Sequence, residues 1–184
     1  MALLHSAALN PLSTCGLCDQ YPAELACGDL RVLPPVFRHF GRQLHFLGRV
    51  ATVQCLEDDG LVRAMLAQAG MARVLVVAGG GSMRHAVFGA PQAEQALRNG
   101  WAGVVVDGCV RDVQELHGAA VGVRALGCVP SGAPATGAGL QQVAVSVQGV
   151  MVRPDDWLYA DADGMLLSQR ALHEPAQLPA GHAH

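Results

Sequence analysis

The segment Gly103-Val-Val-Val-Asp-Gly-Cys-Val-Arg-Asp112 sets an arginine beside an aspartate at the end of a short apolar run. Arg111 carries a planar fork of donors that matches a carboxylate. Asp112 carries hard oxygens that suit a divalent cation. Neighbours on an extended strand point to opposite faces, so a turn after Gly108 is predicted to make the two side chains converge. An exposed charge pair closing a buried strand has the same signature, so the surrounding elements decide between the two.

Those elements predict a βαβ unit. Arg73–Ala78 reads as a buried strand and Gly79-Gly-Gly81 as a flexible turn. Pro91 fits a first helical position, Gln92–Arg98 continues that helix, and Asn99-Gly100 ends it. Ala102–Val106 is the next buried strand, which makes the two strands parallel with a right-handed crossover. Ligands of open α/β sheets gather at the carboxyl ends of strands. Three glycine-bearing segments fall there: Gly79–Ser82, Gly89–Gln92 and Gly108–Asp112. The first is no dinucleotide fingerprint, because Arg84 stands where GxGxxG needs its last glycine, and no GK[ST] follows to make a P-loop.

The start of the 91–98 helix offers backbone N–H groups to a carboxylate. Arg111, arriving from the next parallel strand, supplies the other half of an anion clamp. Asp112 then holds Mg²⁺ or Mn²⁺ together with several waters. This assembly suits a 2-oxo acid: the arginine and amides take the carboxylate, and the metal polarises the keto oxygen. Carbon–carbon cleavage leaves an enolate whose charge the metal stabilises.

Composition narrows the chemistry further. The chain of 184 residues has no lysine, its 12 basic residues all being arginine. A Schiff-base aldolase, a pyridoxal-phosphate enzyme with its own lysine and a Walker-type P-loop are excluded on chemistry. A metal is then the natural electron sink. The net charge of −3 and the absence of a basic stripe argue against nucleic-acid binding. Apolar runs are strand-sized, well short of a membrane span. Met1–Asn10 lacks the basic start of a signal peptide, so a cytoplasmic location is expected. Of six cysteines, Cys15 and Cys18 have CxxC spacing. With no second pair, they read as thiols rather than as a zinc or redox site.

The rest of the chain reads as one α/β domain over 14–170 with a mixed sheet, flanked by flexible tails at 1–13 and 171–184. Thr14–Tyr21 predicts a short helix before Pro22, and Leu44–Cys55 an extended segment. Glu57–Gly60 predicts a turn, and Leu61–Ala69 a helix stopping at Gly70. A strand is expected near 121–129, a loop over Pro130–Leu140, and alternation over Val143–Val152 with a turn at Gln148-Gly149. Trp157–Ala160 and Met165–Ser168 flank Asp161-Ala-Asp-Gly164, which lacks the EF-hand spacing and reads as turn chemistry.

Several motifs recur in one order: Leu17-Cys-Asp19, Cys55-Leu-Glu-Asp58, Val74–Ser82, Arg84, Asn99-Gly-Trp-Ala-Gly103, Gly108–Asp112 and Tyr159-Ala-Asp161. Over Thr14–Ser168 the chain resembles the RraA-like proteins. These include metal-dependent 4-hydroxy-4-methyl-2-oxoglutarate aldolases and the regulator of ribonuclease activity A. The resemblance implies an α/β fold and a homotrimer with sites near subunit interfaces. In the aldolase branch it implies release of pyruvate, with oxaloacetate decarboxylation as a related activity. It assigns substrate binding to Arg111 and metal binding to Asp112, and it makes Gly89-Ala-Pro-Gln92 the substrate loop.

The chain departs from that pattern at the loop. Ala90 stands where the aldolases carry an aspartate, and Pro91 removes a backbone N–H. Asp59 replaces the asparagine usual after Glu-Asp, and Glu57, Asp58 or Asp59 compensates only if the fold brings it near. The regulator branch has glutamine where Asp112 stands, so the Arg–Asp pair favours metal binding. The alternative implied by the lost loop aspartate is a non-catalytic protein that binds ribonuclease E.

Overall fold

The computed structural model describes residues 13–173. Its elements in chain order are α1 (Thr14–Gln20), α2 (Pro22–Cys27), β1 (Leu30–Val32), β2 (Arg38–His39), β3 (Phe46–Gln54), α3 (Gly60–Leu66), β4 (Val74–Phe88) and α4 (Ala90–Arg98). There follow β5 (Gly103–Val110), α5 (Val113–Gly118), β6 (Gly122–Cys128), β7 (Leu140–Gln141), β8 (Val145–Val147), β9 (Val150–Val152), β10 (Trp157–Ala160) and β11 (Met165–Ser168).

Alternation along the valine-rich strands explains the layering. Leu75, Val77, Val104 and Val106 pack on one face of the sheet with residues of α3, α4 and α5. Val74, Val76 and Val105 pack on the other, with Val145, Val147, Val152, Leu158 and Leu167. All seven of these strand residues of β4 and β5 are fully buried. Both faces being covered is the condition under which parallel strands are stable. β3, β4, β5 and β6 are parallel neighbours, and among them β4 and β5 are the pair that the βαβ pattern predicts. The sheet runs β1-β11-β10-β3-β4-β5-β6-β2, with β7 also beside β3, and the outer pairs are antiparallel. The β8–β9 hairpin turns at Gln148-Gly149 as expected.

Four expectations need correction. The glycines at 79–81 do not end a strand: β4 runs through them for 15 residues. Register shifts after Val77 let it do so, with Gly80 and Gly81 at φ of 64° and 70°, a conformation glycine adopts freely. The turn predicted after Gly108 is likewise absent, because β5 continues to Val110. Helix α3 stops at Leu66, ahead of Gly70. The packed chain also extends past 170: Leu172 is buried, and its N–H donates to the Tyr159 hydroxyl at 2.8 Å. The remaining tail residues, 1–12 and 174–184, lie outside the described residues. No helix among the described residues is long and apolar enough to cross a membrane.

Candidate active site

Arg111 and Asp112 converge through a single backbone conformation. Arg111 leaves β5 with its N–H donating to the Phe88 carbonyl, which holds the end of β5 to the end of β4. Asp112 then takes φ 58°, ψ 45°, a left-handed turn that aspartate tolerates better than most residues. The turn swings its carboxylate back, so that Oδ2 lies 3.5 Å from Arg111 Nε. Both side chains remain partly open, at 43% and 31% exposure. Both face a groove of about 300 Å³ with Val113, Cys128, Val129 and Pro130.

The expected substrate loop packs against this pair. Gly89 caps α4, and the Ala90 N–H donates to Asp112 Oδ2 at 3.1 Å. Pro91 has no N–H to offer. The helix start therefore commits its first N–H to Asp112 and has none at Pro91, which reduces what it can offer a carboxylate beside Arg111. The Gln92 side chain folds back, accepting from the Gly89 N–H at 3.1 Å and donating to Asp59 Oδ2 at 2.9 Å. Gly89, Pro91 and Gln92 line a second, smaller cavity of about 40 Å³ with Arg111, Asp59, Arg63 and Gly132. Arg111 thus borders both spaces.

The three consecutive acids at 57–59 have different fates. Glu57 turns outward to Ser82 and Arg84, which hold its carboxyl below the usual range. Asp58 is buried and accepts from the Gly60, Thr136 and Gly137 amides and from the Thr136 hydroxyl. Asp59 alone of the three reaches the 89–92 loop, through Gln92. It is buried, bonded by Arg63 at 2.6 and 2.8 Å, and its Oδ1 has no partner. The sequence marked Asp59 as a deviation but carried no signal for Arg63 or Gly132, whose roles come from tertiary approach.

Asp58 yields a pH prediction. Its hydrogen bonds, the Thr136 hydroxyl foremost, pull its carboxyl from 3.8 down to about 2. A lowered folded value means stability present above pH 3.8 and lost as pH falls through about 2. Asp58→Ala should cost about 2 kcal/mol or more at pH 7, since buried amides lose their acceptor. It should also flatten the acid limb between those values. Urea titrations across that range measure both effects.

A metal must be judged on the donors present. Among the described residues, no three His, Cys, Asp or Glu side chains converge. That rules out a structural-zinc ligand set there. One partly exposed carboxylate at a groove does fit Mg²⁺ or Mn²⁺, which retain waters and take further oxygens from substrate. Asp112 would hold it. Elsewhere, Cys15 and Cys18 are unpaired thiols on α1, and burial pushes the Cys55 thiol up to about 11. Asp161 accepts from the Asp163 and Gly164 amides, the turn role expected of it, and also from Thr14 at the start of α1.

Fold and site together define an α/β domain that presents an arginine–aspartate pair where a parallel strand ends. Comparison with known proteins agrees: the RraA-like (Aldolase/RraA) family model matches residues 14–167. The chain belongs to the RraA-like family. A protein of Albidiferax ferrireducens is 49% identical over 164 residues, covering 85% of this chain and 94% of its own. One from Burkholderia mallei is 51% identical over 162 residues, covering 88% and 98%. Both carry the provisional name 4-hydroxy-4-methyl-2-oxoglutarate aldolase. Among solved structures, the RNA-processing inhibitor RraA from Thermus thermophilis superposes with TM-score 0.82 at 41% identity. It covers 89% of this chain and 96% of that one. A Geobacillus kaustophilus structure described as an S-adenosylmethionine:2-dimethylmenaquinone methyltransferase gives TM-score 0.80 at 38% identity, covering 87% and 96%.

Proposed function

We propose that the protein is a divalent-cation-dependent lyase that cleaves 4-hydroxy-4-methyl-2-oxoglutarate to pyruvate and also decarboxylates oxaloacetate. The observation that carries this reading is the convergence of Arg111 and Asp112, with the substrate loop hydrogen-bonded to Asp112. The aldolase names of relatives near 50% identity point the same way. Mg²⁺ or Mn²⁺ on Asp112 supplies the Lewis acid that both reactions share.

This chain's residues supply the rest. Arg111 binds the substrate carboxylate through its guanidinium, which makes no ion pair among the described residues beyond the loose one to Asp112. The Ala90 N–H holds Asp112 Oδ2 and fixes the rotation of the carboxylate. Pro91 stiffens the loop at the first turn of α4. Both substrates have a 2-oxo acid at the reacting end, so one set of contacts serves both. A homotrimer belongs to the same reading.

The test is pyruvate release from each substrate with Mn²⁺ or Mg²⁺ and again with EDTA. Release should appear with metal and fall to the metal-only blank with EDTA. Release unaffected by EDTA refutes the cation requirement. No release from either substrate by folded protein refutes the lyase.

A second reading is a regulator that binds ribonuclease E. Its support is the likeness to the RNA-processing inhibitor and the carboxylate missing at Ala90. Co-purification with ribonuclease E at low salt, together with no pyruvate release, would favour it.

A further inference from the structure

We infer that Asp59 is a positioning residue of this site, acting through Gln92 to hold the substrate loop against Asp112. The inference rests on the proposed lyase for its catalytic consequence, but not for its structural one.

Six residues form a continuous relay, its Gly89–Ala90 step being the peptide bond itself. Arg63 donates twice to Asp59 Oδ2, from Nε at 2.8 Å and Nη2 at 2.6 Å. The same oxygen accepts from Gln92 Nε2 at 2.9 Å. That bond fixes which end of the Gln92 amide faces Asp59, leaving Oε1 to accept from the Gly89 N–H at 3.1 Å. The next residue, Ala90, then donates its N–H to Asp112 Oδ2. Each link sets the orientation of the following one, because an amide that donates at one end must accept at the other.

The placement of Asp59 is not what helix capping alone would produce. At the start of α3 it makes no side-chain bond to the helix amides, the usual task of an aspartate there. It is only 3% exposed, and its Oδ1 is buried without a partner. A buried carboxylate oxygen left unpaired is costly unless the geometry is required elsewhere. Here the other oxygen gathers three donors, and the residue lines the 40 Å³ cavity beside Arg111. The loop carries no carboxylate of its own at Ala90, and Asp59 brings a negative charge next to it from α3.

All three donors converge on the single oxygen Oδ2, so asparagine could keep the relay by presenting its own oxygen there, whereas alanine has no acceptor. Asp59→Ala is therefore the informative variant. Hydrogen exchange of the Gly89 and Ala90 amides should quicken at least tenfold, with exchange in β4 and β5 unchanged. In the lyase assay kcat should fall about tenfold while KM changes less than twofold, since Arg111 still binds the substrate carboxylate. Arg63→Met, which leaves Asp59 in place, should move both readouts the same way but less.

Gly89 and Ala90 exchange within twofold of the parent would overturn the inference. So would acceleration spread equally over β4 and β5, which would mark Asp59 as a general stabilising residue. If the parent releases no pyruvate, the proposed lyase fails, while the exchange measurement still decides the role of Asp59.

Discussion

Asp112→Asn is expected to lower kcat for pyruvate release by about 10²–10³-fold, the loss of about 3–4 kcal/mol of transition-state stabilisation that single electrostatic groups supply. Asparagine is the right replacement because residue 112 sits at φ 58°. Asparagine tolerates that conformation, whereas alanine would add backbone strain to the loss of charge. The variant keeps an oxygen for the Ala90 N–H, so the loop should stay in place and the thermal midpoint should stay close to that of the parent. What it loses is the hard anionic donor for a divalent cation. Mn²⁺ affinity, followed by electron paramagnetic resonance, should weaken together with kcat. A variant that releases pyruvate at the parental rate would remove Asp112 from the site.

How far the sequence could be read depended on the range of the interactions involved. The apolar runs Val74–Val77 and Val104–Val106 on either side of a helix are local, and they predict the parallel pair that carries Arg111 and Asp112. The Pro91 and Asn99-Gly100 boundaries of α4 are local too. The glycines at 79–81 misled because glycine marks a turn and a bulged strand equally well; only the approach of β5 distinguishes them, with the Asp107 carbonyl 2.6 Å from where a Gly79 Cβ would lie. The same limit applied at the site. Arg111 and Asp112 were visible as chemistry, but a turn was expected at Gly108 when the convergence comes from the left-handed backbone at Asp112 itself. β1, β2 and β7 span two or three residues each, too short for periodicity to register. Asp59 was visible only as an unusual residue. Its contact with Gln92 crosses 33 positions in the sequence, and nothing local encodes it.

Gly89→Ala should be nearly as damaging to turnover as loss of the Asp112 charge, for a reason that is purely steric. Gly89 has φ of −158°, extended backbone open to any residue, so the glycine is not there for its conformational freedom. It is there for space. A Cβ at this position would lie 2.6 Å from Asp112 Oδ2 and 3.0 Å from Arg111 Cγ. The aspartate side chain is short, and its oxygen is already held by the Ala90 N–H, so it must rotate away and break that bond. A displacement of about 1 Å at a reacting group costs on the order of 10²-fold in rate. Gly132→Ala offers the matching test for the arginine, because its Cβ would lie 2.5 Å from Arg111 Nη1. The Arg111 guanidinium ends a longer side chain and can move aside at little cost to the fold. Substrate KM should therefore rise in Gly132→Ala, whereas in Gly89→Ala kcat and Mn²⁺ affinity should fall. Both proteins should retain their thermal midpoints within a few degrees. Opposite assignments, with the 89 variant changing only KM, would mean that the arginine and the aspartate have exchanged the roles given to them here.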